Sequence, residues 1–337
     1  MNKQNELRVG IIGVGMVGGP ILHWFEEVKG YTRQKNLFCF DVDKSKGHND
    51  DINKADVVFV AVPTPTLKNG YSDTSIVEQA IETINDGKII VIKSTIPPGT
   101  TEALQKKFPK KKFIFNPEFL TESQVWSDFV HPDRQILGLS SSVVSDAREI
   151  MMLLPMASFM RPWSTDYTKK TINSTEAEIS KYASNIFGYM KVIYGNMLAD
   201  ISAGVSELLS SQGVSSGANY ENIREVLSAD PRIGPAWLNV NHGDYSGAGG
   251  FCFPKDMNAF ITFLEKELIL SLVKDKKVDR GLINSLKNGL IVLKSVRDYN
   301  RSLLKWQGLS EVDLSTHNVN IDVSKKKAIR QTRKRSL

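Results

Sequence analysis

Residues 7–18 read Leu-Arg-Val-Gly-Ile-Ile-Gly-Val-Gly-Met-Val-Gly. An apolar run, Leu7–Ile12, reads as a strand and ends in Gly13-Val14-Gly15-Met16-Val17-Gly18, a GxGxxG placed where a helix opens. In that setting Gly13 makes the tight turn, Gly15 lets a pyrophosphate approach the backbone, and Gly18 lets the helix pack close to the sheet. The helix N-terminus then receives the phosphates. An acid, Asp41, closes the second strand candidate 23 residues beyond Gly18. Its carboxylate can accept from both ribose hydroxyls and repels a 2′-phosphate, so NAD is expected over NADP. A Gly-rich turn without a ligand is the competing reading; the strand before it and the acid after it weigh against that.

The pattern continues outward. Leu37–Asp41, Val57–Val62, Ile89–Ser94, Phe113–Asn116 and Gln135–Leu139 are further strand candidates, several of them near-continuous apolar runs that suit burial on both faces. They alternate with helix-like stretches, which predicts a parallel α/β sheet. Pro63, Pro65, Pro97 and Pro98 follow strand ends. Two loops, Val62-Pro63-Thr64-Pro65-Thr66 and Lys93-Ser94-Thr95-Ile96-Pro97-Pro98-Gly99-Thr100, should leave the same carboxyl edge of the sheet, where ligands bind. Thr64, Pro65, Thr66 and Thr95 are candidates to line a nicotinamide ribose, although ordinary loops use the same residue types. The stretch between Asp41 and Asp56 is short, so the adenosine side of the domain is expected to be pared down.

The second half is helical. From Ser174 to Ser211, Ile179, Tyr182, Ala183, Ile186, Phe187, Met190, Ile193 and Met197 recur at three- and four-residue spacing, and Gly213 is a plausible stop. So long a helix reads either as a spine shared between two subunits or as a core helix. Further helical patterns cover Asp256–Glu267 and Leu282–Leu303, and from Gln307 the chain turns polar.

At 337 residues the chain has room for two domains, with 41% hydrophobic and 24% charged residues, as in ordinary globular proteins. No apolar run approaches membrane-spanning length, and the polar start predicts no secretion leader. Two cysteines argue against a disulfide framework and for a reducing compartment, the cytoplasm. The net charge of +6 belongs to the tail. Lys325, Lys326, Lys327, Arg330, Arg333, Lys334 and Arg335 follow the last acid, Asp322; without those seven, 36 basic residues face 37 acidic ones. The basic balance therefore describes a solvated end rather than a nucleic-acid-binding face.

Residues 247–256 read Gly-Ala-Gly-Gly-Phe-Cys-Phe-Pro-Lys-Asp. Small residues permit close approach of a ligand or backbone, and Pro254 suits a first helical turn. A thiol there feels the positive end of the helix, which favours the thiolate. The ten residues fit two readings equally: a presented nucleophile, and a tight turn with an inert thiol. Cys39, on the second strand candidate, reads as a buried small hydrophobe. The five histidines show no metal-ligand spacing.

Taken in order, GVGMVG, VPTPT, KSTIPPGT, NPEFLTE (116–122), EISKYASN (178–185), DPRIGP (230–235) and GAGGFCFPKD resemble the UDP-glucose/GDP-mannose dehydrogenase family. The resemblance implies an NAD-binding Rossmann domain joined by a long dimer-forming helix to a second nucleotide-binding domain. It also implies a two-step oxidation of a nucleotide-sugar C6 alcohol to a carboxylate with two NAD and no metal, foremost UDP-glucose to UDP-glucuronate. By matching motif, Cys252 is the nucleophile that captures the aldehyde, passing through a thiohemiacetal to a thioester. Glu118 activates water for hydrolysis, with Thr95 and Glu122 near cofactor and sugar. Lys181 and Asn185, four apart on one helix face, stabilise the developing oxyanion. Asp256 assists as acid/base or water-orienting group. Substrate contacts fall on Glu118, Phe119, Leu120, Lys181, Asn185, Arg232, Gly249 and Cys252. Cofactor contacts fall on Gly13, Val14, Gly15, Met16, Val17, Gly18, Asp41, Lys46, Thr64, Pro65, Thr66, Thr95, Glu122 and Lys255.

The expected architecture is α/β: an N-terminal Rossmann-like, doubly wound parallel sheet over 1–170, then an all-α central domain with the spine helix and the cysteine over 171–305, then a basic, disordered tail over 306–337. No second Rossmann domain is legible beyond residue 305, where the resemblance places the clamp for the substrate's nucleotide. The expectation is therefore weak substrate affinity, a nucleotide site from a partner chain, or altered specificity. The expected partners are a nucleotide sugar, a UDP-hexose foremost, and a second copy of the chain through the long helix; a membrane and nucleic acid are not expected. Two other readings compete: an NAD-binding module acting by association with a full-length relative, and a one-step β-hydroxyacid-type dehydrogenase, which needs no cysteine.

Overall fold

Five runs of four residues, rich in Val, Ile and Phe, form the parallel core of the sheet. β1 (Val9–Ile12) leads into α1 (Gly18–His23), which continues as a π-helical stretch, Trp24–Val28. β2 (Leu37–Phe40), β3 (Val57–Val60), α2 (Ser75–Glu82), β4 (Ile89–Ile92), α3 (Thr100–Lys107) and β5 (Lys112–Phe115) follow. Then come α4 (Val125–Val130), β6 (Arg134–Ile136), β7 (Gly138–Leu139), α5 (Ala147–Leu153) and β8 (Phe159–Arg161). The sheet order is β2-β1-β3-β4-β5-β7, parallel except for β7, which runs antiparallel to β5. Alternate residues point to opposite faces of a strand. Val9, Ile11, Val57, Phe59, Val91 and Ile114 accordingly enter one core layer. Val58, Val60, Ile90, Ile92, Phe113 and Phe115 enter the other. The computed structural model describes residues 7–140, 146–161, 171–242 and 245–314.

One feature of this unit differs from the sequence reading. Gln135–Leu139 is not one strand: β6 pairs in parallel with β8 in a separate two-stranded sheet, while β7 pairs with β5. The break falls at Leu137, beside Gly138, where a Cβ would lie 2.5 Å from Ala177 Cβ and 2.8 Å from Ser174 Cα. The incoming helix presses on the backbone there. The short link from β2 to β3 contains two 3₁₀ turns, Lys44–Lys46 and Ile52–Lys54. Between them the chain folds back along β2, with Asp41 N donating to His48 O at 2.9 Å and Asp50 N to Cys39 O at 2.9 Å. That return covers the sheet edge.

The chain divides into compact units Met1–Lys181 and Tyr182–Leu337. The first unit runs eleven residues past the boundary expected at 170, because Ala177 joins the sheet core and Glu178 binds the start of α3. α6 (Ser174–Ser211) has the span read from the sequence. Asn173 and Glu176 form a reciprocal capping box at its start, each side chain accepting from the other's amide at 2.8 Å. Gly213, at φ +78°, closes its end.

In the second unit follow α7 (Tyr220–Ala229), α8 (Cys252–Thr262), a π-helical continuation Phe263–Ile269, α9 (Leu270–Lys274) and α10 (Arg280–Trp306). The described residues of this unit hold no named strand, only a bridge between His242 and Tyr245. Its core packs Tyr182, Ile186, Tyr189 and Ile193 of α6 with Met257, Ile261, Leu264 and Leu290. The apolar stripe read along α6 thus divides: Tyr182, Ile186 and Ile193 are buried, while Ile179, Phe187 and Met197 are exposed. The stretch read as tail begins as packed chain, with Leu309 and Leu314 against Leu304; the basic cluster from Lys325 lies outside the described residues. Among the described residues no helix is long and apolar enough to cross a membrane.

Candidate active site

The first half-site is the turn after β1. Gly13 sits at φ +86°, and a Cβ there would lie 2.6 Å from Ala61 O. A Cβ on Gly18 would lie 1.8 Å from Gly13 O, so only glycine lets the helix approach the strand. Around Gly15 nothing lies within 4 Å of a built Cβ, which leaves space beside the start of α1 for phosphates. Asp41 Oδ2 accepts from Val14 N at 2.8 Å and from Lys46 Nζ at 2.9 Å, and its Oδ1 accepts from Asp43 N at 2.9 Å. Burial alone pushes this carboxyl up; the Asp43 amide, the Lys46 ammonium and the Val14 amide outweigh it and hold it below its ordinary range. A ribose on Asp41 therefore competes with Lys46, whose ammonium also donates to Val14 O at 3.2 Å. These residues fit NAD: an ionised acid, three glycines in three distinct roles, and a helix start.

The loops after β3 and β4 are tied together. Thr64 Oγ1 donates to Thr95 O at 2.8 Å, and Ser94 Oγ to Val62 O at 2.7 Å. Thr64 is buried, Thr95 half-buried, and Pro65 and Thr66 exposed, with Thr66 bridged to Ser72.

Behind these loops lies a buried ionic network. Lys181 Nζ meets Glu118 Oε1 at 2.7 Å, with both side chains below a tenth exposed. Glu118 Oε2 accepts from Leu120 N at 2.8 Å. Burial pushes the Glu118 carboxyl up, but the Lys181 ammonium, the Leu120 amide and the charge of Lys93 hold it below its ordinary range. Lys93, also buried, donates to Asn116 Oδ1 at 2.8 Å, and Asn116 donates to Gln135 Oε1 and Ile136 O. Burial brings the Lys93 ammonium down to about 8, opposed by Glu118 and assisted by Lys181. Phe119 lies under the Arg134 guanidinium at 3.8 Å and near Lys181 at 5.6 Å. Two ammoniums to one carboxylate leave this pocket of charge net positive, which suits a developing oxyanion.

The second unit holds the thiol. Cys252 is the first residue of α8, half-buried and not in a disulfide. One turn on, Asp256 is buried, accepting from Asn185 Nδ2 at 2.5 Å and from Lys255 Nζ at 2.6 Å. Phe253 packs on Gly188 of α6, where a Cβ would lie 2.6 Å from the ring. Gly249 lies under Tyr245, whose hydroxyl would be 2.3 Å from a Cβ.

Two further sequence candidates are exposed. Arg232 is 88% exposed and forks onto Asp230 of its own loop, which Lys191 braces through Ile233 O and Gly234 O. Glu122 opens an exposed 3₁₀ turn, Glu122–Gln124.

Residues 44–152 match the NAD-binding domain of the UDP-glucose/GDP-mannose dehydrogenase family, and residues 175–276 match its central domain. The chain belongs to this family. It is similar to UDP-glucose 6-dehydrogenase of Rickettsia bellii, 32% identical over 251 residues, covering 71% of this chain and 51% of the relative. It is similar also to UDP-glucose 6-dehydrogenase of Pseudomonas aeruginosa, 34% identical over 227 residues, covering 63% and 45%. The chain thus spans about half the length of these relatives. Its fold is like that of a UDP-glucose dehydrogenase from Pyrobaculum islandicum, with TM-score 0.67 and 23% identity over 91% of this chain and 71% of that one.

Within this family chain, sequence reasoning missed Lys93 and Asn116, although both lie in quoted motifs. A lysine ending an apolar strand reads as solvated; in the fold it is buried, donating to Asn116 and near the charge of Glu118. Glu178, also in a quoted motif, is a buried cap: its carboxylate accepts from Gly99 N, Thr101 N and Thr101 Oγ1 at 2.5, 2.8 and 2.6 Å.

Proposed function

We propose that the chain is an NAD-dependent nucleotide-sugar 6-dehydrogenase that oxidises a UDP-hexose, UDP-glucose foremost, to the C6 carboxylate. The observation that carries the reading is Cys252 on the first turn of α8, one turn before the buried Asp256 and its partners Lys255 and Asn185. A one-step dehydrogenase has no use for a thiol at a helix start. The names of the relatives in this family support the substrate class.

NAD, when bound at the turn after β1, supplies the hydride acceptor. Asp256 takes the C6 hydroxyl proton as the first hydride leaves carbon, giving the aldehyde. Cys252, as thiolate, adds to the aldehyde carbon, and Lys181 and Asn185 stabilise the alkoxide of the thiohemiacetal. Cys252 would hold the carbon as a thioester once the alkoxide collapses with loss of a second hydride from that carbon, for which a second NAD would supply the acceptor. Glu118 takes a proton from the water that attacks this thioester; the carbon–sulfur bond breaks and the carboxylate departs. Arg232 and Glu122 act in substrate and cofactor binding. The active form is a homodimer through α6, and the thiol chemistry belongs to a reducing compartment, the cytoplasm.

The test is the number of NADH formed per UDP-glucose consumed, run beside GDP-mannose and other UDP-sugars. Two NADH per sugar is expected, and Cys252→Ser blocks completion. One NADH per sugar, or unimpaired turnover in Cys252→Ala, removes the reading.

A further inference from the structure

The geometry points to Asn300 and Gln307, two side-chain amides of α10 and its C-terminal cap, as positioning residues for the Cys252 thiol. The inference rests on the reading of Cys252 as nucleophile. It concerns a segment, residues 280–314, that lies beyond the match to the family's central domain.

Asn300 is fully buried. Its Oδ1 accepts from Ala248 N at 2.8 Å, and its Nδ2 donates to Ala248 O at 2.9 Å. Gln307 repeats the arrangement on Ser246. Its Oε1 accepts from Ser246 N at 2.9 Å, and its Nε2 donates to Ser246 O and to Leu303 O, both at 2.9 Å. Residues seven apart lie on one side of a helix, so Asn300 and Gln307 reach Ala248 and Ser246 from one face of α10, on either side of the bend at Gly247. The two carboxamides therefore give residues 246–248 the paired donor and acceptor that a neighbouring strand gives in a sheet. The groups so satisfied are buried, where leaving one unpaired costs about 1–3 kcal/mol.

Gly247 shows how closely the two parts fit. It sits at φ +106°, and a Cβ there would lie 2.7 Å from Asn300 Oδ1. This glycine admits Asn300 rather than a ligand. Between the clamped Ala248 and Cys252 stand only Gly249, Gly250 and Phe251, with Gly250 at φ +75°. Two glycines confer little stiffness of their own, so the clamp fixes the entry to α8 from upstream. Downstream, Phe253 on Gly188 and Asp256 on Asn185 hold the first turn. Arg301 adds a tie between the helices, donating to Asn258 Oδ1 of α8 at 2.9 Å and to Glu311 Oε2 at 3.0 Å. Only an amide offers both a donor and an acceptor here; a carboxylate or an alkyl group of similar shape cannot.

The test compares the full chain with Gln307→Met and Asn300→Ser, reading the rate constant for alkylation of Cys252 by iodoacetamide. Cys252→Ser serves as the blank for Cys39. The variants are expected to change the Cys252 rate by about threefold to tenfold while the folded fraction stays complete. Unchanged rates in folded variants overturn the inference, whatever the outcome of the NADH count. Hydrogen exchange on the unaltered chain supplies an independent reading: the Ser246 and Ala248 amides should be protected, and exchange at open-loop rates overturns the inference equally.

Discussion

Lys181 and Lys93 both act on one carboxylate, Glu118, from buried positions in the first unit. Removing one partner of a buried ion pair leaves an uncompensated charge, at a cost of about 3–5 kcal/mol. In the intact chain the depressed Glu118 carboxyl contributes stability that is fully present above its unfolded value and is lost as pH falls through the folded one. Lys181→Met removes the chief opponent of burial, so the Glu118 carboxyl moves up and the residue tolerates the loss once protonated. The variant is therefore expected to lose about 3–5 kcal/mol near neutral pH and less near pH 5, read by chemical denaturation. An equal loss at both pH values sinks the coupling. Neither burial nor pairing of these groups is legible along the chain. Glu118 alone reads as half of a surface i,i+4 pair with Glu122, and only the ordered motifs single it out; the tertiary fold then parts the two, burying Glu118 and leaving Glu122 exposed.

Among the elements, α6 is the one whose limits the sequence states most fully, because the terminal glycine and the apolar period are local signals. The division of Gln135–Leu139 into β6 and β7 is not legible, since its cause is the distant start of α6 pressing on Gly138. The same first turns carry Glu178, which joins α6 to the N-terminus of α3. Burial pushes its carboxyl up to about 7, against the opposing pull of the Thr101 hydroxyl and the Thr101 and Gly99 amides. For an acid whose folded value is raised, the folded chain holds the proton more tightly than the unfolded one. The stability from this group is then greatest at acid pH and falls as pH rises from about 4.5 to about 7. Glu178→Gln cannot ionise and turns an NH₂ toward one of the donors. Its deficit against the parent chain should be largest near pH 5 and shrink toward pH 8. Paired denaturation curves across that range check this, and a deficit independent of pH shows that Glu178 does not titrate there.

At the scale of the whole chain, the alternation of strands and helices and the helical second half follow from hydrophobic period, which acts locally. The use made of each helix face does not. Along α6 the residues 63%, 48%, 53% and 56% exposed, Phe187, Tyr194, Ile201 and Leu208, stand seven apart. The sequence reading puts Phe187 in the same stripe as the buried residues and leaves out the other three, because a helix apolar on two sides shows one broad stripe rather than two narrow ones. A seven-residue apolar repeat is the seam of one long helix against another, and the proposed partner is α6 of a second copy. Because the side chains of Phe187 and Ile201 face solvent within the single chain, Phe187→Glu together with Ile201→Glu should leave its fold and unfolding cooperativity intact. In a dimer the same pair of substitutions sets buried like charges against each other across the seam, a penalty each copy incurs twice. Sedimentation equilibrium should therefore give twice the chain mass for the parent and the single mass for the variant. A parent that sediments as a monomer across the accessible concentration range excludes the α6 dimer, and a variant that remains dimeric moves the contact to another surface.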